Sequence, residues 1–219
     1  VPGVAKEWND KDYNTINRIY LRVGINLLVA SLVIFLVIWL NYADAVITFG
    51  LKKEYLESQW IFFFLGMARV VDLGTGVNSQ IIGTSTFWRF EFISGMILLS
   101  FAIHLNYFLV KQFGIIGAGY SNVISFTIYN VIRIIFLQRK FNMHPFSNKT
   151  LYSIFFAFAC FVLCYYSFRN LHGFFAMVLK SVVFIALYGG AILYFDLSPD
   201  VLPVWDNVKK RAGRKRKNN

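Results

Sequence analysis

Two charged residues interrupt an otherwise apolar stretch of the sequence. Arg69 and Asp72 follow the run WIFFFLGMA at positions 60–68, so both lie at hydrocarbon depth if this stretch crosses a membrane. A charge at the bilayer centre costs roughly 2.5–3.5 kcal/mol on insertion scales, and such residues usually mark ion or substrate pathways. Residues three apart share a helix face. The two charges therefore either pair with each other or line a polar cavity in which Arg69 meets an anionic substrate.

Polar side chains inside or next to other apolar stretches complete the predicted cavity. With Arg69 and Asp72, the candidate set contains Asn78, Gln80, Asn106, Asn130 and Lys180. Lys180 either extends its ammonium group to the interface or lines the cavity. We predict no catalytic residue, no metal site and no cofactor.

The composition sets the class of protein to which these residues belong. The chain is 57% hydrophobic and 15% charged, whereas globular proteins are roughly 45–50% apolar and about 25% charged. A helical crossing needs about 20 apolar residues. The sequence therefore predicts an all-α, polytopic membrane bundle of about six transmembrane helices. We divide it into a cytoplasmic interfacial segment (1–22), a six-helix transmembrane lobe (23–195) and a basic cytoplasmic tail (196–219).

The hydropathy pattern and the small residues give the expected elements. We predict spans at about 23–40, 60–80, 92–110, 115–137, 151–168 and 174–195. Gly74 and Gly76 predict either a break in the second span or a close helix approach, and Gly117 and Gly119 predict close packing of the fourth span. Asn26 is expected to face lipid head groups. Two cysteines four residues apart, Cys160 and Cys164, are typical of buried packing residues.

The net charge of +11 points to a membrane surface and not to nucleic acid. Most of the 22 Lys and Arg residues, Arg133 among them, fall in segments that we assign to one side. The acidic residue Glu91 falls on the same side. The other side is left with Lys52, Lys53, Lys111 and Arg169. The positive-inside rule then predicts that both ends are cytoplasmic, and the basic segments predict contact with anionic membrane lipids.

Two passages resemble a known family of membrane proteins. The stretch NYFLVKQFGIIGAGY at 106–120 is similar to the "Asn, apolar run, Phe/Tyr-Gly-Ile-x-Gly-Ala" signature of polysaccharide flippases. ARVVDLGTGVNSQIIGTS at 68–85, followed by Trp88 and Arg89, resembles a second pattern of these proteins. They belong to the multidrug/oligosaccharidyl-lipid/polysaccharide exporter superfamily. The opening 2–20 resembles the loop that leads into the second half of such proteins.

The resemblance implies a C-terminal half of a two-lobe, alternating-access transporter. We therefore expect a missing N-terminal lobe, in the same chain or in a partner, and a start at Val1 that is internal to a longer protein. The family implies a bacterial inner-membrane location and a polyprenyl-pyrophosphate-linked oligosaccharide as substrate, for lipopolysaccharide O-antigen or other surface polysaccharide. Cationic cavities are typical of these proteins, which Arg69 matches and Lys180 suits.

Two alternatives remain beside the flippase. A cation-coupled antiporter of the same superfamily needs an intramembrane acid, and Asp72 is the available carboxylate, although a paired Arg69 would keep it ionised. A membrane enzyme of polysaccharide assembly needs a base or a carboxylate cluster near the surface, and the sequence offers Glu91, Asp196 and Asp200 without a recognisable spacing. The sequence has no GxxxxGK[ST] loop for ATP.

Overall fold

The chain folds into a bundle of helices with no strand among the residues described. The computed structural model describes residues 2–200, and the side chains of residue 4 and of residues 6–200. In chain order the helices are α1 (Pro2–Asn9), α2 (Tyr13–Thr48), α3 (Glu54–Glu57), α4 (Gln59–Gly74), α5 (Asn78–Gly83), α6 (Trp88–Phe113), α7 (Ile116–Phe141), α8 (Asn148–Ser167) and α9 (Phe174–Tyr194). The predicted all-α class is confirmed.

Five of these helices, α2, α6, α7, α8 and α9, are long and apolar enough to cross a membrane. The chain is therefore a multi-pass membrane protein. The second predicted span is divided between α4 and α5, neither of which is long enough alone. Placed end to end with their short break, they would cover about 37 Å, more than the roughly 30 Å of a hydrocarbon core.

The helix α2 is longer than the predicted first span and begins at an N-terminal cap. At its start, the Asp12 carboxylate accepts hydrogen bonds from the Thr15 backbone N–H (3.0 Å) and hydroxyl (2.6 Å), which satisfy an otherwise unpaired helix donor. These bonds hold the pKa of the Asp12 carboxyl below its ordinary value. The predicted boundary at residue 22 therefore lies inside a continuous helix. The predicted basic tail lies beyond the described residues from position 201 onward.

The helices form a row in which α2 and α4 are central. On one side α2 packs against α8 and α9, and on the other it packs against α4. The helix α4 packs against α7, and α7 packs against α6. The larger apolar core joins α2, α4, α8 and α9, and it contains Cys160 and Cys164, so their predicted packing role is confirmed. A methyl group on Gly117 would lie 2.2 Å from the Leu109 carbonyl, and one on Gly119 would lie 2.9 Å from Phe64. The close approach predicted for the fourth span is confirmed.

Polar contacts identify the two ends of the bundle. At the end that we call the basic pole, Arg22 donates to Asp200, and Lys149 pairs with Asp196 at 3.0 Å. Asn26 donates to Asp200 and accepts from Ser198, so the prediction that it faces lipid head groups is wrong. The opposite pole lies near the C-terminal end of α2, where Asp44 contacts Lys180 and His172.

The Asp200 carboxyl at the basic pole has a perturbed pKa. The hydrogen bond from Arg22 is the largest cause, and it holds the pKa of Asp200 below its ordinary value of 3.8. Both side chains are largely exposed, so water screens the pair and its contribution to stability is small.

Candidate functional site

The break between α4 and α5 lies towards the basic pole of the bundle, next to Gly24 of α2. At this point Gly76 has a φ of +83° and its Cα approaches Gly24 of α2 closely. The Thr75 and Gly76 backbone N–H groups still donate to the carbonyls of Val71 and Leu73, at 3.1 and 3.0 Å. Non-helical backbone at membrane depth is tolerated only where protein buries it or where it lines a wet cavity. The predicted break is therefore present, and it is stabilised locally.

A chain of polar side chains surrounds this break. Asn130 on α7 donates to the Asp72 carboxylate at 3.1 Å and to the Phe126 carbonyl at 3.0 Å. Asn78 contacts the Asn130 side-chain oxygen at 3.4 Å and accepts a hydrogen bond from the Tyr20 hydroxyl of α2. Asn78 and Asn130 are 1% and 2% exposed. Three of the predicted site residues thus form one buried network that joins α2, α4, α5 and α7.

Arg69 lies outside this network and pairs with no carboxylate in the described part of the chain. Its guanidinium carbon lies 4.9 Å from the centre of the Phe126 ring on α7, and its side chain is exposed. None of the ion pairs among the described residues includes Arg69 or Asp72. The predicted Arg69–Asp72 pair is therefore not formed. Arg69 is about 15 Å along α4 from Gln59. Its positive charge therefore lies far from the start of α4, on an exposed face of the helix.

A second polar cluster connects the basic half of α7 to α6. Arg133 forms an ion pair with Glu91, whose carboxylate also accepts from Ser79 at 2.8 Å and from Tyr129 at 3.2 Å. The guanidinium of Arg133 lies 3.6 Å from the Tyr129 ring centre. Both charged side chains are largely buried. Glu91 and Arg133 are therefore paired between α6 and α7 and are not exposed to water, because each supplies the counter-charge for the other.

Lys180 is placed apart from Arg69. Its ammonium group lies 2.5 Å from Asp44 on α2, and the same carboxylate contacts the His172 ring at 2.8 Å. Lys180 and Asp44 are both buried, and Asp44 lies inside α2, beyond the end predicted for the first span. Because α9 packs on α2 and α8, Lys180 neutralises Asp44 and does not join the Arg69 face.

The two remaining predicted residues are exposed. Gln80 lies on α5 beside the buried Asn78. Asn106 lines a cavity of about 490 Å³ between α6 and α7. The structure thus brings Asp72, Asn78 and Asn130 into contact, places Arg69 beside them, and separates Asn106 and Lys180.

Sequence reasoning missed the partners of the buried charges. Asp44, Glu91 and Arg133 each lie near a predicted span end, where a charge normally contacts water. The pair Tyr129 and Arg133, one helix turn apart in a rather polar span, was the available signal for a buried cluster. No comparable pattern identified Tyr20 as a partner of Asn78, because 58 residues separate them along the chain.

No protein-family model, no curated protein and no solved structure matches this chain. The family resemblance at 68–85 and 106–120 therefore stays a prediction.

Proposed function

We propose that this chain forms one lobe of a transporter that flips polyprenyl-pyrophosphate-linked oligosaccharides across the bacterial inner membrane, for O-antigen or other surface polysaccharide. The observation that carries the proposal is Arg69, an exposed guanidinium on the face of α4 and α7 that meets no carboxylate within residues 2–200. A charge at this depth is costly against lipid. This face is therefore better suited to a wet cleft than to hydrocarbon.

The ligand that best suits Arg69 is a pyrophosphate group. A guanidinium presents a planar set of N–H donors that matches phosphate oxygens in a bidentate manner. The Phe126 ring holds the guanidinium from one side by a cation–π contact and leaves its charge uncompensated. A pyrophosphate that enters the cleft would supply the missing counter-charge.

The broken helix supports a transport role. Secondary transporters often build substrate sites next to discontinuous membrane helices, and here Arg69 lies about 10 Å along α4 from the break. The polar network of Asp72, Asn78 and Asn130 joins the end of α4 to α5 and α7, and Arg69 lies less than one turn before Asp72. A second lobe, in the same chain or in a partner, would close the Arg69 face and alternate against it. Both ends of this chain would be cytoplasmic, with anionic lipids at the basic pole.

A cation-coupled antiporter is the second candidate, because the structure changes the environment of Asp72. Its carboxylate contacts Asn130 and not Arg69. An intramembrane carboxylate bound by a neutral amide is suited to take up a proton or a sodium ion. The reason for discounting this function from the sequence is therefore removed.

The experiment is complementation of a strain that lacks its own copy of the gene, with surface polysaccharide as the readout. Arg69→Ala should abolish most of the polysaccharide, and Arg69→Lys should retain part of it. Arg89→Ala is the matched control, because Arg89 is also exposed and stacks on an aromatic ring, Trp88, at 5.6 Å. Full polysaccharide with Arg69→Ala would contradict the proposal. Asp72→Asn separates the two candidates, since an antiporter site loses its function without the carboxylate.

A further inference from the structure

The cavity between α6 and α7, which we call the polar cavity, combines an apolar lining with several polar side chains, although the hairpin that forms it lies within the membrane-spanning part of the bundle. It has a volume of about 490 Å³, and besides Tyr129, whose hydroxyl donates to Glu91, four of its lining side chains carry amide or hydroxyl groups: Asn106, Ser121, Asn122 and Ser125. Three of these lie within two turns of α7, and Asn106 faces them from α6. Lipid chains offer no hydrogen bonds to such groups.

These side chains retain unused hydrogen-bonding capacity. The Ser125 hydroxyl is buried, with a residue exposure of 3%, and it has no hydrogen-bond partner in the described part of the chain. Ser121 makes only a long contact of 3.5 Å to the Ala102 carbonyl. Asn122 uses one N–H on the Ala118 carbonyl at 2.9 Å, which leaves its second N–H and its oxygen. A buried hydroxyl without a partner is unusual in proteins, so these groups point to a ligand with hydroxyl or amide groups.

The same hairpin forms an apolar cavity that serves as a comparison. A second cavity of about 410 Å³ is lined by residues such as Phe90, Ile93, Ile97 and Ile132, with Ser94 as its one aliphatic hydroxyl. Ser94 already donates to the Glu91 carbonyl within its own helix at 3.1 Å. The polar cavity therefore differs from this apolar cavity by its lining and by its unpaired groups.

Phe126 connects the polar cavity to Arg69. It is a lining residue of the cavity, and its ring lies beneath the Arg69 guanidinium. An anion on Arg69 and a hydroxyl-rich group in the cavity would thus be separated by one aromatic side chain. A glycosyl pyrophosphate has these two parts joined by a single bond.

We infer that the polar cavity is the sugar subsite, in which Ser121, Asn122 and Ser125 bind hydroxyl and N-acetyl groups of the first sugar while Arg69 binds the pyrophosphate. The inference rests on the proposed function and adds the part of the substrate that it leaves open. Sites that hydrogen-bond a substrate hydroxyl discriminate strongly against ligands without it. The cavity would therefore distinguish sugar-bearing carriers from the bare prenyl pyrophosphate.

The test measures ligand protection of an introduced thiol in the full chain, reconstituted in nanodiscs. Asn106→Cys and Asn122→Cys, which line the cavity and are not buried, are reacted with a water-soluble thiol reagent, and Ser94→Cys in the apolar cavity is the matched control. The native Cys160 and Cys164 are buried, and the parent chain gives their background. The two probes are farnesyl pyrophosphate and farnesyl-pyrophosphoryl-N-acetylglucosamine, which differ only in the sugar.

We expect both cavity thiols to react and Ser94→Cys to react slowly. The sugar-bearing probe at ten times its Kd should slow the cavity thiols about tenfold, and farnesyl pyrophosphate should leave their rates nearly unchanged. Equal protection by both probes, or no protection by a bound sugar-bearing probe, overturns the subsite and leaves the pyrophosphate site standing. If neither probe binds the parent chain, the proposed function and this inference fail together.

Discussion

At the scale of residues, the molecule treats its intramembrane charges in two different ways. Arg133 and Lys180 are buried and each contacts a buried carboxylate, Glu91 and Asp44 respectively. Arg69 is exposed, and among the residues that the structure describes it contacts the Phe126 ring and forms no ion pair. Paired buried charges are typical of structural roles, whereas an unpaired charge on an open face is what an anion site requires.

The Glu91–Arg133 pair gives a prediction on stability. Glu91→Gln leaves a largely buried guanidinium without its counter-charge, which should lower the free energy of unfolding by about 3 kcal/mol. Thermal unfolding of the purified chain in detergent measures this effect. The double variant Glu91→Gln, Arg133→Met removes both charges and should recover part of the loss. Identical stabilities for the single variant and the parent would contradict a buried ion pair.

The Asp200 carboxyl gives a prediction on pH. Its pKa is lowered in the folded state by the hydrogen bond from Arg22, so its contribution is present above pH 3.8 and is lost as the pH falls through the lower folded value. Because the pair is exposed, Asp200→Asn should cost at most about 1 kcal/mol at pH 7. The stability difference between parent and variant, measured from pH 7 to pH 3, should shrink towards acid. A difference that grows towards acid would refute the lowered pKa.

At the scale of elements, the sequence predicted helix types better than helix interruptions and ends. Long apolar stretches determined α6, α8 and α9, since their length and hydropathy suffice to define a span. The sequence could not decide whether Gly74 and Gly76 divide 60–80 into two helices or allow close packing of one helix, because glycine suits both a break and a close contact. Here it serves both, since Gly76 turns the chain beside Gly24.

The break gives a prediction on the two facing glycines. Gly76→Ala puts a side chain on a residue with φ +83° and 3.2 Å from the Gly24 Cα, so it should lower stability by about 1–2 kcal/mol. Gly24→Ala meets the same backbone at an ordinary 3.6 Å and should have a smaller effect. The comparison uses thermal unfolding of both variants. If the backbone at Gly76 were ordinary α-helix, Gly76→Ala would instead stabilise the chain.

The packing of α6 on α7 gives a parallel prediction. Gly117→Ala forces the α7 backbone away from the Leu109 carbonyl and should destabilise the chain, despite the better helix propensity of alanine. Gly189→Ala on α9 has no atom within 4 Å of the added methyl, so it should be neutral or stabilise by up to about 1 kcal/mol. Circular dichroism during heating measures both. Equal shifts for the two variants would show that the helices are not in close contact at Gly117.

At the scale of the whole molecule, the row of helices leaves the face of α4 and α7 open beside the polar cavity. The class of protein could be predicted from composition alone, because 57% hydrophobic residues are incompatible with a soluble core of this size. The arrangement of the site could not. Which face of α4 is open, and whether Arg69 meets Asp72 or Phe126, depends on where α7 packs along α4, and that register is a long-range property that no local pattern encodes.

The measurement that tests the central claim most directly is the affinity of the purified chain in nanodiscs for farnesyl pyrophosphate. Hydrogen bonds to a charged group contribute about 1.5–3 kcal/mol, so Arg69→Gln should raise the Kd by about 10- to 100-fold. Arg89→Gln should leave it unchanged. Equal affinities for the parent chain and Arg69→Gln would contradict the assignment of this face as a pyrophosphate site.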